Sequence, residues 1–333
     1  MNAGRMCSIE DLIHLLHICR KEKNLDQAFR LHSYIHLHGL ESHVLLGNCL
    51  VASYVGASGM DCARNVFDKL SCHNESSWNS IIIGCVKLGK PQDALLLYDK
   101  IHKDRCVRLN GYAIVALLKA SAQLNDLERG LQLSIDIERQ GLLERNCFVG
   151  SALVDMFVKC GSITKAQEVF EKLLDRDVVS WNALISGFAK YGYSDLTLKC
   201  FGCMKVEGIL PNNVTFISTL KACGSIGAIQ EGLDIHAEIE RKGMLETCPA
   251  IGSALVNMYS KCGCLSKAQD VFNKLPERDV ISWTALITGY AEYQHYEKAI
   301  LCFLEMQLEG VSPDIVTLGC CLRACGSLGS LER

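Results

Sequence analysis

Three kinds of side chain in this sequence have the type and spacing to do chemistry. The first is His236-Ala237-Glu238, an H-x-E step like the one that opens a zinc deaminase, where the histidine holds the metal and the glutamate moves protons. That chemistry needs two more thiolates from a later P-C-x-x-C, and no such run follows in the chain. His32 and Ser134 stand at the matching place in two related stretches, so a packing role is expected for His236. The second kind is the thiols: 19 Cys, with Cys200-x-x-Cys203 and Cys262-x-Cys264 as close pairs. A zinc site needs four converging ligands, and neither pair has a second pair beside it. No metal, no cofactor and no catalytic residue is therefore expected. The third kind is short polar side chains recurring at fixed places: Asn48, Asn74, Asn79, Asn110, Ser151, Asp177, Asn182, Asn212, Ser253, Asp279, Thr284 and Asp314. Such groups either cap the free N–H groups of a helix start or offer donors and acceptors to a partner.

An internal repeat sets these positions. SSWNSIIIGC (77–86), VSWNALISGF (179–188) and ISWTALITGY (281–290) match, as do GNCLVASY (47–54), GSALVDMF (150–157) and GSALVNMY (252–259). A third trio is VALLKASAQL (115–124), ISTLKACGSI (217–226) and GCCLRACGSL (319–328), with LIHLLHICRK (12–21) as a worn copy. The period is about 102 residues and holds three modules. After a short segment 1–8, the module edges read 9–43, 44–74, 75–110, 111–146, 147–177, 178–212, 213–248, 249–279 and 280–314, with an incomplete tenth at 315–333.

Each module reads as two antiparallel helices. Trp181, Leu184, Ile185 and Phe188 fall at offsets 0, 3, 4 and 7, one face of a helix, and the Trp78 and Trp283 stretches repeat the pattern. The three Trp are expected in the core rather than as stacking platforms. Gly89, Gly161, Gly192 and Gly263 mark the turn. The second helix runs Ala166, Val169, Phe170, Leu173 and Ala268, Val271, Phe272, Leu275 at the same offsets, with Pro211 and Pro313 closing two modules. Two departures stand out: Gln294 replaces a turn glycine, and Thr197 replaces the small Ala, which is expected to loosen that helix pair. A helix pair cannot bury its faces alone, so the expected fold is all-α, a superhelical solenoid of antiparallel helix pairs.

Composition narrows the function. Of 333 residues 49% are hydrophobic, which leaves little room for extended disorder. Lys plus Arg total 34 against 37 Asp plus Glu, a formal charge of −3, so the chain does not coat nucleic acid by bulk charge. Lys69, Lys172 and Lys274 recur at one module position, either as a phosphate rail or as a solvated outer face. No run is apolar enough to span a bilayer, and no membrane partner is expected. The start, MNAGRMCSIEDLIHLL, reads neither as a secretory signal nor as an import leader.

The texts DVVSWNALISGFAKYG, PNNVTFISTLKACGSIGAIQEGLDIHAEIERKG and IGSALVNMYSKCGCLSKAQDVFNKLPERDV resemble the pentatricopeptide repeat (PPR) family, specifically its plant PLS subclass. The resemblance covers 9–333 and makes 9–43, 111–146, 213–248 and 315–333 L-type modules. It makes 44–74, 147–177 and 249–279 S-type, and 75–110, 178–212 and 280–314 P-type. It implies recognition of single-stranded organellar RNA, one nucleotide per module, with base choice set by the fifth and last residues. The implied pairs are Asn48/Asn74, Asn79/Asn110, Ser151/Asp177, Asn182/Asn212, Ser253/Asp279 and Thr284/Asp314. Ser76, Val179 and Ile281, at the second position, are the implied walls for the bases, and the L-type fifth residues Ile13, Val115, Ile217 and Gly319 cannot hydrogen-bond through their side chains. The implied target is 5′-N-Y-Y-N-G-Y-N-G-G-3′, with Y a pyrimidine.

On this resemblance the chain is expected to be a non-enzymatic, monomeric RNA-processing or C-to-U editing specificity factor of a mitochondrion or chloroplast. It would act with a separate deaminase or editing cofactor protein. The stop at Arg333, inside a module, raises the expectation of a truncated chain whose intact form carries further modules and an E or DYW deaminase domain. The rival reading is a protein-binding scaffold like a tetratricopeptide array, with a groove lined by carboxylates or apolar patches.

Overall fold

The computed structural model describes residues 7–70, 72–104 and 108–329. Most of the expected segment 1–8, the last four residues of the tenth module and Cys106 lie outside the described residues. By packing, the chain divides after Arg176 into two compact units. The first runs α1 (Ile9–Glu22), α2 (Leu25–Leu37), α3 (Val44–Gly56), α4 (Met60–Lys69), α5 (Glu75–Lys87), α6 (Pro91–Asp104), α7 (Gly111–Leu124), α8 (Leu127–Arg139), α9 (Leu142–Arg145), α10 (Cys147–Lys159) and α11 (Ile163–Lys172), with a 3-10 turn at Leu40–Ser42. The second runs α12 (Val178–Lys190), α13 (Ser194–Val206), α14 (Asn213–Ile226), α15 (Ile229–Arg241), α16 (Met244–Thr247), α17 (Pro249–Lys261), α18 (Leu265–Lys274), α19 (Val280–Glu292), α20 (Tyr296–Leu308) and α21 (Ile315–Ser327). Every regular element among the described residues is helical.

Helix starts and stops follow from local chemistry. Ser8 caps α1 in a capping box with Asp11, and Asn24 and Asp126 cap α2 and α8 through their side-chain oxygens. The turns inside the pairs need a left-handed residue, and Gly89, Gly161, Gly192 and Gly263 supply it at φ of 71°, 76°, 82° and 75°. Gln294 adopts the same conformation at φ 65°, which an L side chain does only under strain.

Within each unit the first helices of successive pairs pack on one another. α1 meets α3, α3 meets α5, α5 meets α7 and α7 meets α10; in the second unit α12, α14, α17, α19 and α21 do the same. The second helices pack against the first helices of their own and the next pair, as α6 does against α5 and α7, and α20 against α19 and α21. The result is an all-α solenoid of helix pairs. The three Trp are buried, Trp283 to 1% exposure, and two meet a Phe of the preceding second helix edge-on: Phe67–Trp78 at 4.8 Å and Phe272–Trp283 at 4.5 Å between centroids.

The structure departs from the sequence reading in three places. Leu173 and Leu275 do not continue their helices; each is an extended C-cap residue, because α11 and α18 stop after 10 residues. Turned back, each leucine lies over a glycine of its own first helix, as Leu70 does. A Cβ built on Gly47, Gly150 or Gly252 would sit 2.2, 2.4 or 2.2 Å from the Cδ2 of Leu70, Leu173 or Leu275. Thr197 does not loosen its pair: it is wholly buried, and its hydroxyl donates to the Tyr193 carbonyl at 3.0 Å. Finally, a short extra turn follows α2, α8 and α15, each introduced by a left-handed glycine, Gly39, Gly141 or Gly243.

The leucine contact predicts opposite effects at two helical glycines. Gly252→Ala forces Leu275 aside and should cost about 1–3 kcal/mol. Gly202→Ala, in α13 with nothing within 4 Å of the added carbon, should gain about 0.5–1 kcal/mol from helix propensity. Urea unfolding of the two variants checks the contrast, and equal shifts would discard the leucine contact as the reason for Gly252.

Candidate nucleic-acid interface

The six polar residues placed last in their modules all precede a first helix, and each caps it. Asn74 accepts from the Ser77 N–H at 2.8 Å, Asn110 from Ala113 at 2.9 Å and Asp177 from Ser180 at 2.8 Å. Asn212 accepts from Val214 and Thr215 at 3.1 and 3.3 Å, Asp279 from Ser282 at 2.7 Å and Asp314 from Thr317 at 2.8 Å. The oxygen Oδ1 is the acceptor in every case. That cap holds the Asp314 carboxyl below its ordinary value, because the Thr317 N–H favours the charged form.

Helix geometry brings the fifth residue of a module beside the cap that opens the next one. Asn79 Oδ1 accepts from the Asn110 N–H at 3.2 Å. Asn182 Nδ2 donates to Asn212 Oδ1 at 2.9 Å, and its Oδ1 accepts from the Thr215 hydroxyl at 2.6 Å. Ser253 Oγ donates to Asp279 Oδ1 at 3.0 Å. Thr284 and Asp314 are joined through Thr317, whose hydroxyl lies 2.7 Å from Thr284 Oγ1 and 2.8 Å from Asp314 Oδ1. Ser151 donates to the Cys147 carbonyl at 3.0 Å; its counterpart Asp177 belongs to the second unit. Asn48 differs from all of these. It is 3% exposed, and neither its Oδ1 nor its Nδ2 has a hydrogen-bond partner among the described residues.

In the first unit these groups border an open cleft of about 1370 Å³, formed by the inner faces of α3, α5 and α7 and the end of α1. Asn74, Asn79 and Asn110 line it, with Ser76 and the exposed Tyr112 at the second positions of α5 and α7. Arg20, Lys23, Lys87 and Lys119 line it too, against a single carboxylate, Glu75. Sequence reasoning missed this cationic set: Lys119 is the ninth residue of α7, Lys87 the thirteenth of α5, and Arg20 and Lys23 lie at the end of α1. In the second unit the ninth position holds Lys221 in α14 and Arg323 in α21 and the thirteenth holds Lys190 in α12 and Lys261 in α17, all exposed, whereas α19 ends on Glu292. Lys69, Lys172 and Lys274 are elsewhere, at the ends of second helices, and the latter two are taken by Glu138 at 3.1 Å and Glu240 at 3.8 Å.

The other chemical candidates are engaged otherwise. His236 Nδ1 lies 2.8 Å from the Tyr259 hydroxyl, and burial pushes its pKa below the usual value. Burial would raise Glu238, but hydrogen bonds from Lys205 and Lys242, each at 2.9 Å, outweigh it and hold the carboxylate charged. Every described cysteine is a free thiol. Burial pushes Cys85 and Cys200 up to about 11 and Cys223 and Cys302 to about 12, far from the thiolate a ligand or nucleophile needs.

Comparison with known proteins gives a consistent picture. A family model described as "PPR repeat family" matches residues 176–225 and 278–327, and one described as "PPR repeat" matches 76–106, 151–178 and 253–280. Among curated relatives from Arabidopsis thaliana, pentatricopeptide repeat-containing protein At4g18520, chloroplastic, is 33% identical over 98% of this chain and 52% of its own length. Pentatricopeptide repeat-containing protein CRR2, chloroplastic, is 34% identical over 96% and 49%, and At3g09040, mitochondrial, 35% over 92% and 30%. The chain thus spans about half the length, or less, of these relatives. Among solved structures, the pentatricopeptide repeat protein PPR10 in complex with an 18-nt psaJ RNA element superposes with a TM-score of 0.75 at 18% identity, over 98% of this chain and 49% of that one. PPR10 from maize gives 0.59 at 18% identity, over 98% and 52%.

The bonding differences at the fifth position predict stability changes of opposite sign. Asn48→Leu removes two buried unmet polar atoms and should stabilise by about 1–2 kcal/mol, whereas Asn79→Leu strands the Asn110 N–H and should cost about 1–3 kcal/mol. Urea titration of both variants checks this; destabilisation by Asn48→Leu would mean that the Asn48 amide has a partner.

Proposed function

The chain belongs to the pentatricopeptide repeat family, and from that premise we propose that it binds single-stranded RNA along the inner faces of its first helices. The proposed modules are those read from the sequence, nine repeats over 9–314 in the L, S, P order of the PLS subclass, each meeting one nucleotide. The observation that carries the reading is the cleft in which Asn74, Asn79 and Asn110 stand among Arg20, Lys23, Lys87 and Lys119. Phosphates supply most of the affinity of such complexes, and base edges supply the choice. A scaffold with an acidic or apolar groove does not match four cations against one carboxylate.

Capping and base recognition use different atoms of one side chain. In Asn74 and Asn110 the cap takes Oδ1, and Nδ2 is the donor offered to the bare ring nitrogen of cytosine. In Asp279 the Ser282 N–H and the Ser253 hydroxyl both fall on Oδ1, so Oδ2 is the acceptor offered to the ring N–H of guanine. Tyr112 and the exposed Val179 and Ile281 give apolar surface for an unstacked base to rest on. The biological role that follows is that of an organellar specificity factor that marks a site for RNA processing or cytidine editing, in a mitochondrion or chloroplast, with the chemistry done by a separate deaminase or cofactor protein.

Selection from a randomised RNA pool tests the reading, and 5′-N-Y-Y-N-G-Y-N-G-G-3′ is the expected consensus. Asp279→Asn should move the preference at the eighth nucleotide from guanine to adenine, by about 1–3 kcal/mol. An unchanged base there would remove Asp279 from the readout. Charge reversal at Lys87 and Lys119 should weaken all sequences alike and flatten the salt dependence.

A further inference from the structure

A second cavity in the first unit, about 570 Å³, lies between α2, the Leu40–Ser42 turn, α3 and α4, apart from the residues of the cleft. Its walls are apolar: Phe29, Ile35, Leu50, Val66 and Leu70. Its size falls within the ~300–1,000 Å³ usual for small-molecule sites, which pair such walls with a few polar groups. Here those groups are Lys69, Asn65, Cys62, His32 and Glu41. His32 brings no charge, since its Nδ1 lies 2.9 Å from the Tyr54 hydroxyl and burial pushes its pKa down.

The internal repeat identifies what is unusual about this copy. Lys69 corresponds to Lys172 and Lys274, which are taken by Glu138 and Glu240 of the preceding module. The residue equivalent to those glutamates is His36. It turns instead to Glu41, with Nδ1 at 2.7 Å from the carboxylate. The turn after Gly39 is one residue shorter than its counterparts, GLES against GLLER and GMLET, and Glu41 stands where they have Glu144 and Glu246. Lys69 therefore has no carboxylate within ion-pair distance among the described residues. The corresponding cavity in the second unit is about 290 Å³ and contains its own carboxylate, Glu240, beside Lys274. The first copy thus combines a larger apolar chamber, an ammonium without its counter-ion, and a rim carboxylate already bonded to His36.

We propose that this chamber binds a small amphipathic carboxylate of the medium-chain fatty-acid type. The apolar tail lies against Phe29, Ile35 and Val66, and the carboxylate takes on Lys69 the place that Glu138 and Glu240 fill in the other copies. This goes beyond RNA recognition and does not depend on it, because none of these residues lines the cleft.

Titration calorimetry of the chain with decanoate, below its micellar concentration, tests the proposal. One saturable site is expected, with decan-1-ol at least tenfold weaker. Bound decanoate should slow alkylation of Cys62, followed by peptide mass mapping, and leave the exposed Cys72 unaffected. The double variant His36→Glu with Glu41→Leu gives Lys69 the internal partner that the other two modules have and removes the neighbouring acid. It should lose at least tenfold in decanoate affinity while keeping the thermal midpoint, and Lys69→Met should lose as much. Glu41→Leu alone should bind as well as the parent or better. Equal binding of decanol, an undiminished double variant, or alkylation of Cys62 that decanoate does not slow would each overturn the proposal.

Discussion

One hydrogen bond organises this molecule: the side-chain oxygen that closes a module accepts from the backbone N–H three residues on, and so opens the next helix. It recurs at Asn74, Asn110, Asp177, Asn212, Asp279 and Asp314. Because the cap fixes where a first helix begins, it also fixes where the fifth residue of each module points, one helical turn further on. Asn182 bonded to Asn212 and Ser253 to Asp279 are consequences of that register. Backbone satisfaction and the proposed base recognition would therefore be two uses of one side chain rather than competing explanations of it.

The paired-helix solenoid was legible because its signal is periodic. A Trp, Leu, Ile, Phe face at helical offsets repeats every 102 residues or so, and glycine marks several of the turns with a backbone conformation few other residues accept. What escaped was set by tertiary packing. Leu173 and Leu275 satisfy the helical offsets, yet the chain turns out of the helix to lay them on Gly150 and Gly252. Thr197 reads as a bulky intruder until its hydroxyl is seen to bond its own helix backbone. At the candidate site the positions of the paired polar residues could be read from the repeats, but their bonding could not. Asn48 and Asn79 are the same residue at the same module position, and among the described residues only the second has a hydrogen-bond partner.

Charge shows the same division. A net of −3 argues against a nucleic-acid partner only if the charges are spread evenly, and they are not. Between second helices, cations are consumed in ion pairs such as Arg129–Asp99, Lys172–Glu138, Lys205–Glu238 and Lys274–Glu240. On the inner face of the first unit, Arg20, Lys23, Lys87 and Lys119 meet one acid. Local segregation, not the sum, determines the field a strand would feel.

The thiols buried along the array carry a consequence of their own. Cys19, Cys85, Cys223 and Cys302 occupy four different helix pairs, each shielded from solvent and held protonated by its surroundings. Each becomes reactive only when its own pair breathes open. The molecule thus contains a row of silent clocks, and the order in which they strike under a thiol reagent ranks the local cohesion of its parts without any added label.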